Sequence, residues 1–208
     1  MTTSPPALVG RYVRLEPLGQ HHVPALVAAA DGDPGLYRWT VVPQGEAAAT
    51  LYVDAALAAR GAGTAAPFAI VRLADATVVG STRLCDMERW SWPPGHPRHG
   101  RDNPDVGEIG YTWLARSAVR TGANTEAKLL LLGHAVDRLG VLRVCLHTDS
   151  RNVRARAAIE RIGARFEGIL RAHRLAPDDI ARDSARFSII ESEWPAVKLG
   201  LRERLDRG

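Results

Sequence analysis

Val106-Gly-Glu-Ile-Gly-Tyr-Thr-Trp-Leu114 leads through the turn Val119-Arg-Thr-Gly-Ala-Asn-Thr125 into an apolar run from Glu126 to Leu139. A second short apolar stretch, Leu142–Thr148, then reaches Asp149-Ser-Arg-Asn152. The order is strand, glycine-containing turn, helix, strand: a βαβ unit whose helix starts beside a loop suited to an anion. Helix N-termini carry unpaired N–H groups and a partial positive charge, which is how proteins commonly hold phosphate. Gly122 permits close backbone approach, the Thr125 hydroxyl is expected to cap the helix, and Arg120 adds charge. The same residues also make an ordinary helix start. The reading from this stretch is a site for a phosphate-bearing cofactor.

The chain around it has 208 residues, 46% hydrophobic and 24% charged, which fits one soluble globular domain with a real core. No apolar run approaches the roughly 20 residues needed to cross a bilayer. The first residues, Met1-Thr-Thr-Ser-Pro-Pro6, lack the basic and apolar regions of a secretory signal. Cys85 and Cys145 fall in separate strands with no CxxC or Cys/His spacing, so they read as buried free thiols in a reducing cytoplasm, and no metal is expected. The net charge of +4 comes from arginines scattered among acids, with Lys128 and Lys198 the only lysines. That is a mixed solvated surface with at most a basic rim for an anionic ligand, and no aromatic-and-basic motif supports nucleic-acid binding.

Along the chain, a tail ends near Leu8 and the first strand is Arg11–Pro17. Helical spacing follows over Gln20–Ala30, then the turn cluster Asp31–Gly35 and an aromatic-bearing loop with Tyr37 and Trp39. Gly45–Arg60 reads as a second helix, and Pro67–Leu73 with Thr77–Cys85 as an antiparallel hairpin in which Gly80 marks a bulge or a close approach. Met87–Asp105, rich in Pro, Gly and Trp, reads as a long excursion without regular structure, on the substrate side or at a dimer contact. His96, His99 and Asp102 match no metal-site spacing. Beyond the central unit come a helix over Asn152–Ile162, a terminal strand pair Arg165–Leu170 and Ala185–Ile190 joined by the polar segment Arg171–Ser184, and a last helix, Ala196–Leu205. One α/β domain over 1–208 is expected.

Gly107-Glu-Ile-Gly-Tyr111, Thr121-Gly-Ala-Asn-Thr-Glu-Ala127, Asp149 to Asn152, Arg161-Ile-Gly-Ala-Arg-Phe-Glu167 and Arg182-Asp-Ser184 with Phe187-Ser188 come in the order found in the GNAT acyltransferases. More narrowly, the chain resembles the RimJ/RimL-like group, relatives of ribosomal-protein N-terminal acetyltransferases. The resemblance implies a mixed, mostly antiparallel sheet of about seven strands that splays between its fourth and fifth, here Glu108–Leu114 and Leu142–Thr148. Acetyl-CoA, or another acyl-CoA, would lie in the gap with its diphosphate on Val119, Arg120, Thr121, Gly122, Ala123, Asn124 and Thr125. Val119 stands where the family usually has Gln or Arg, and Asn124 where it usually has a small residue. Asn152 matches an Asn that contacts the pantetheine arm, and it also suits the cap of the helix that follows. Family habit alone implies a homodimer.

The implied reaction is N-acyl transfer to a primary amine, on a protein N-terminus or a small molecule, by direct attack in a ternary complex. The alternative is a CoA-binding sensor or structural protein with little transfer. Attack requires a neutral amine, a polarised carbonyl and a protonated leaving thiolate. A backbone N–H near Trp113 or Leu114 would polarise the carbonyl. Glu108 is the candidate base, its pKa expected to rise among Ile109, Tyr111 and Trp113, unless it only pairs with an arginine. The acid is less defined. RimL-like enzymes place a serine three residues after the Asn, where this chain has Ala155, which leaves Tyr111, Ser150, water or solvent. The acceptor would approach past Trp39, the Met87–Asp105 loop and Arg171–Ser184.

Overall fold

Hydrophobic alternation along the strands produces one eight-stranded sheet in the computed structural model, which describes residues 5–32 and 34–207. The first half of the chain supplies β1 (Leu8–Val9), β2 (Val13–Pro17), α1 (Val23–Ala30), α2 (Gly45–Gly61), β3 (Ala66–Arg72) and β4 (Thr77–Glu88). The second supplies β5 (Val106–Leu114), α3 (Ala123–Gly133), β6 (Arg143–Asp149), α4 (Val153–Arg161), β7 (Arg165–Leu175), β8 (Ala181–Ile190) and α5 (Trp194–Arg207). Strand order is β1-β2-β3-β4-β5-β6-β8-β7, and only β5 with β6 is parallel. β3 is buried along almost its whole length, as a strand covered on both faces must be. Ala49, Val53 and Ala56 on α2 recur at helical spacing and are fully buried, which fixes the face that helix turns inward.

The α/β class and the mixed, mostly antiparallel sheet agree with the sequence reading, while several boundaries differ. The expected tail ends in a strand: Leu8 pairs with Leu15 and Val9 with Arg14, which raises the count to eight and places the splay between the fifth and sixth strands. Residues 1–4 of that tail, and Asp33 of the turn cluster at 31–35, lie outside the described residues. Arg171–Ser184 is largely strand: β7 and β8 continue to Leu175 and Ala181 around a short turn. Most of β7 is exposed or half-exposed, so cross-strand hydrogen bonds rather than burial hold it, and the apolar alternation that marks a half-buried strand is absent. Both cysteines are buried and free, as read. None of the described helices is long and apolar enough to cross a membrane.

α3 begins at Ala123, three residues ahead of the expected start, and the cap is not Thr125. The Thr121 hydroxyl accepts from Ala123 N–H (3.2 Å) and donates to the Ala118 carbonyl (2.8 Å). Glu126 reaches back from the first turn, and its carboxylate accepts from the backbone N–H groups of Arg11 (2.6 Å), Tyr12 (2.6 Å) and Val13 (2.7 Å). This ties the entry of β2 to the start of α3. The expected run to Leu139 is completed by a wider π-helical turn, His134–Arg138, closed by Gly140 at φ 69°.

Gly80 fulfils both readings made of it. β4 shifts register against β3 beside it, and its φ of 154° suits glycine. A Cβ there would lie 2.1 Å from the Trp113 carbonyl oxygen, so β4 and β5 come together only because position 80 has no side chain. Gly80→Ala should lower stability by about 2–4 kcal/mol, from strain and a displaced β5. The check is the denaturant midpoint; a loss of less than about 1 kcal/mol would show that β5 relaxes freely.

Candidate active site

β5 and β6 pair only at Val106–Arg143, Gly107–Val144 and Glu108–Cys145. Beyond Glu108 the strands separate. β5 carries a bulge at that point: Ser81 pairs with Trp113 and Arg83 with Gly110, so Thr82 alone faces both Tyr111 and Thr112. Tyr111 takes the left-handed conformation, φ 51°, at the bulge. The gap opens into a cleft of about 820 Å³, lined along one side by β5 from Glu108 to Leu114 and along the other by Leu146, His147, Thr148, Asn152 and α4. From Ile109 onward, the β6-facing edge of β5 has no strand partner, so its N–H and C=O groups are offered to whatever occupies the cleft. Leu114 O is an exception, since it accepts from Tyr37 Oη at 3.2 Å. Burial raises the Tyr37 pKa and keeps that donor protonated.

The wide end of the cleft meets the start of α3. Val119, Arg120, Thr121, Asn124 and Thr125 line it, whereas Gly122 and Ala123 do not. A Cβ on Gly122 would lie 3.3 Å from the Tyr12 ring and 3.5 Å from Leu205, so this glycine lets the loop pack on β2 and α5. Arg120 has φ 63°, a strained value for a side-chain-bearing residue. The first hydrogen bond of α3 runs from Glu126 N–H to the Gly122 carbonyl, and Thr121 takes Ala123 N–H. As at any helix N-terminus, the next N–H groups, those of Asn124 and Thr125, have no intrahelical partner, and both residues line the cleft's wide end.

At the narrow end Glu108 is 4% exposed. Its Oε2 accepts from His147 Nδ1 at 2.8 Å and from the Arg174 guanidinium at 2.9 Å, and Arg174 also pairs with Asp86 at 2.7 Å. Burial pushes the Glu108 pKa up, but the His147 hydrogen bond and the charges of His147 and Arg174 outweigh it, and the net shift is downward. The expected rise is therefore wrong in sign: the apolar neighbours are present, and two cationic or donor groups from β6 and β7 dominate them. His147 Nε2 is buried with no hydrogen-bond partner, and the His173 ring sits 5.0 Å away, centroid to centroid.

Lys128 on α3 also lines the cleft, although the residue is only 6% exposed. Its Nζ donates to Thr112 Oγ1 at 2.7 Å, and Thr112 is 2.7 Å from Thr82 Oγ1, so the lysine stitches α3 to the bulge. Burial drives its pKa down to about 7, with Cys85 and Glu108 opposing.

Of the residues singled out from the sequence, Glu108, Tyr111, Trp113, Leu114, Val119, Arg120, Thr121, Asn124, Thr125 and Asn152 share the one cleft. Trp113 offers it backbone, because its side chain is in the core against Tyr37. Asn152 caps α4 by accepting from Ala155 N–H at 3.0 Å. Ser150 does not line the cleft; its N–H donates to the Asp183 carbonyl. Trp39 does, and Arg151 stacks over its ring at 4.4 Å. Residues 87–105, expected on the substrate side or at a dimer contact, do not line this cleft. They fold around Asp105, which accepts from Trp90 N–H (2.8 Å) and Trp92 Nε1 (3.0 Å), while Arg98 donates to the Gly140 carbonyl behind α3. His147, Arg174 and Lys128 were not anticipated. Lys128 carried a signal, being one of two lysines and set in an apolar helix; His147 and Arg174 carried none, since only the strand order brings them to Glu108.

Two groups of ligand-type side chains occur among the described residues, Glu16 with His21 and His22, and Cys85 with Asp86 and Glu108. His22 is already bonded at both nitrogens, to Glu16 (3.0 Å) and to Gly19 N–H (3.1 Å), and Glu108 to His147 and Arg174.

A splayed sheet with a helix N-terminus at its mouth is the architecture of one acetyltransferase family, and the comparisons agree. The acetyltransferase (GNAT) domain model matches residues 13–165. A GCN5-related N-acetyltransferase from Brucella melitensis is 31% identical, with 98% of this chain and 87% of that one covered and a TM-score of 0.79. The chain belongs to the GNAT acetyltransferase family. Its fold is also that of Mycobacterium smegmatis RimJ, solved with CoA-disulfide, at 21% identity, 96% and 93% coverage and a TM-score of 0.77. RimL, the ribosomal L7/L12 alpha-N-protein acetyltransferase solved with coenzyme A, is similar at 17% identity, 89% and 98% coverage and a TM-score of 0.71. A search of the curated proteins finds no match.

The Glu108 network has a pH signature. A carboxyl whose pKa is depressed by folding stabilises the fold above its unfolded value, and that contribution disappears as pH falls through the folded value. The reference value is 4.5, so the parent should lose stability more steeply than Glu108→Gln on acidification below it. Melting temperature against pH is the measurement. Parallel curves would mean that His147 and Arg174 do not favour the ionised form.

Proposed function

We propose that the protein transfers the acetyl group of acetyl-CoA to a primary amine, on a protein N-terminus or a small molecule, by direct attack in a ternary complex. The observation that carries this is the continuity of the cleft, from open N–H groups at the start of α3, along the unpaired edge of β5, to a buried carboxylate. The diphosphate lies against Val119, Arg120, Thr121, Asn124 and Thr125, with Arg120 adding charge. The pantetheine arm follows β5 and reaches Asn152. A β5 N–H near Trp113 or Leu114 polarises the thioester carbonyl.

In the reaction the amine nitrogen attacks the carbonyl carbon, the carbon–sulfur bond breaks, and the thiolate leaves with a proton. Glu108 accepts the amine proton, directly or through water, with Oε2 held by His147 and Arg174. Its lowered pKa makes it a weak resting base, so it takes the proton from the amine nitrogen as that nitrogen bonds to the acyl carbon and its N–H becomes acidic, rather than from a free ammonium ion. For the leaving thiolate, Tyr111 is the better placed of the two side-chain donors: it lines the cleft, half-exposed, with the Arg83 guanidinium 4.2 Å over its ring. The position of Ser150 outside the lining argues for Tyr111 or water over Ser150. Buried free thiols at Cys85 and Cys145 suit a reducing cytoplasm.

Calorimetry with acetyl-CoA, followed by thiol release over a panel of amines, tests the reading; binding without release on any amine would support the sensor alternative. Glu108→Gln should lower turnover by roughly 100-fold, the usual worth of a positioned base, with acetyl-CoA affinity within about two-fold of the parent. Equal turnover of both proteins across the pH range removes Glu108 from the mechanism. Arg120→Ala should weaken acetyl-CoA binding by about 3–10-fold, less at high salt, as expected for a partly screened charge on a phosphate.

A further inference from the structure

The charges around the cleft do not balance. Among the described residues Glu108 is its only carboxylate, against seven cationic side chains. Several of these belong to the phosphate end. Arg120 is in the loop, and Arg204 precedes Leu205, which packs beside Gly122. Arg154, on α4, donates to the Leu36 carbonyl. Lys128, held near neutrality, is committed to Thr112. Arg174 and Arg182 are different: they face one another in register across β7 and β8.

Arg174 spends its charge on Glu108 and Asp86. Arg182 has no such partner. Its Nε donates to Ser184 Oγ at 3.0 Å, and no carboxylate among the described residues lies within ion-pair distance of the guanidinium. Burial lowers its pKa and the neighbouring Arg174 lowers it further, while Asp149 and Glu108 oppose from longer range. A half-buried guanidinium without a counter-ion is costly, and a carboxylate matched to its planar fork relieves that cost through paired charge-assisted hydrogen bonds.

The phosphates of acetyl-CoA do not fill this role. Arg174 touches Glu108, the last β5 residue paired to β6, and Leu114 is six residues further on, about 20 Å at the rise of an extended strand. The helix start that suits the diphosphate lies beyond Leu114. The cationic surroundings also repel an alkylammonium ion and favour neutral amine. An acceptor offering only an amine thus meets repulsion and gains nothing from Arg182.

Resting on the acetyl-transfer reading above, we infer that the acceptor is a primary amine that also carries a carboxylate, bound by Arg182 with Arg174 beside it. Such a carboxylate is found on a small amino acid and on an acidic peptide that presents its N-terminus.

Matched acceptors test this through thiol release from acetyl-CoA: β-alanine against β-alaninamide, and the C-terminally amidated peptide Ser-Asp-Asp-Ala against Ser-Asn-Asn-Ala amidated in the same way. The carboxylate-bearing member of at least one pair should have a kcat/KM at least about 10-fold higher at low ionic strength, with the advantage shrinking as salt screens it. An advantage in the first pair identifies a small acceptor, in the second a peptide. Arg182→Gln should abolish the advantage and Arg182→Lys should keep part of it. Calorimetry with acetyl-CoA, expected within about two-fold of the parent for both variants, verifies that the cleft is intact. If a variant fails to fold, the salt dependence of the parent decides. Neutral and anionic acceptors used equally well would overturn the inference and leave acetyl transfer standing. No transfer to any amine would overturn both.

Discussion

Everything at the cleft depends on β5 parting from β6 after Glu108. A strand inside a sheet satisfies its backbone groups on both edges, and one that leaves a neighbour must find other partners or face an open space. β5 keeps β4 along its full length, even across the bulge at Tyr111, because Gly80 allows the two backbones to meet. It gives up β6 after three residue pairs. The lost pairing leaves the open edge that lines the cleft. The bulge adds a residue to β5, bends it away, and sets Thr112 where Lys128 can hold the bent segment from α3.

The point of separation is stitched by charge. Glu108 from β5, His147 from β6, Arg174 from β7 and Asp86 from β4 meet there, so β4 and β5 on one side of the splay are tied to β6 and β7 on the other at its base. Glu108 and His147 are buried deeply enough to lose hydration, and such groups persist only when each finds partners. That requirement explains why the Glu108 pKa falls despite burial. It also separates the two ends of the cleft chemically: the α3 end presents a helix start and arginines, while the apex presents an ion-paired carboxylate and the uncompensated Arg182. Glu126 has a similar duty at the other end, where its carboxylate fills a nest of three backbone N–H groups and locks β2 to α3.

Much of this was legible in the residues. The order of Gly107–Tyr111, Thr121–Ala127 and Asp149–Asn152 specified the βαβ unit and a helix start suited to an anion, the splay followed from the family resemblance, and ten of the residues chosen for the site line one cleft. Gly80 announced a backbone approach because a glycine inside a β-branched strand has few other uses. The capping of α4 by Asn152 was local enough to read. The errors came from tertiary partners. α3 starts early because Thr121 and Glu126 find hydrogen bonds outside the helix. Leu8–Val9 is a strand because Arg14 and Leu15 lie beside it. The 87–105 segment turned away from the cleft because Asp105 and Gly140 gather its Trp and Arg side chains.

By itself the sequence determined the α/β class, the position of the loop that opens α3 and the strand that bears the carboxylate, because these rest on periodicity, glycine placement and helix-start chemistry within a few residues of one another. The tertiary structure alone decided the ionisation of Glu108 and the isolation of Arg182. Both depend on which charges come within a few ångströms across β5, β6, β7 and β8, strands up to 74 positions apart from Glu108 to Arg182 in a chain that records no such distance. Electrostatic interaction follows separation in space, and in this sheet strand order sets it.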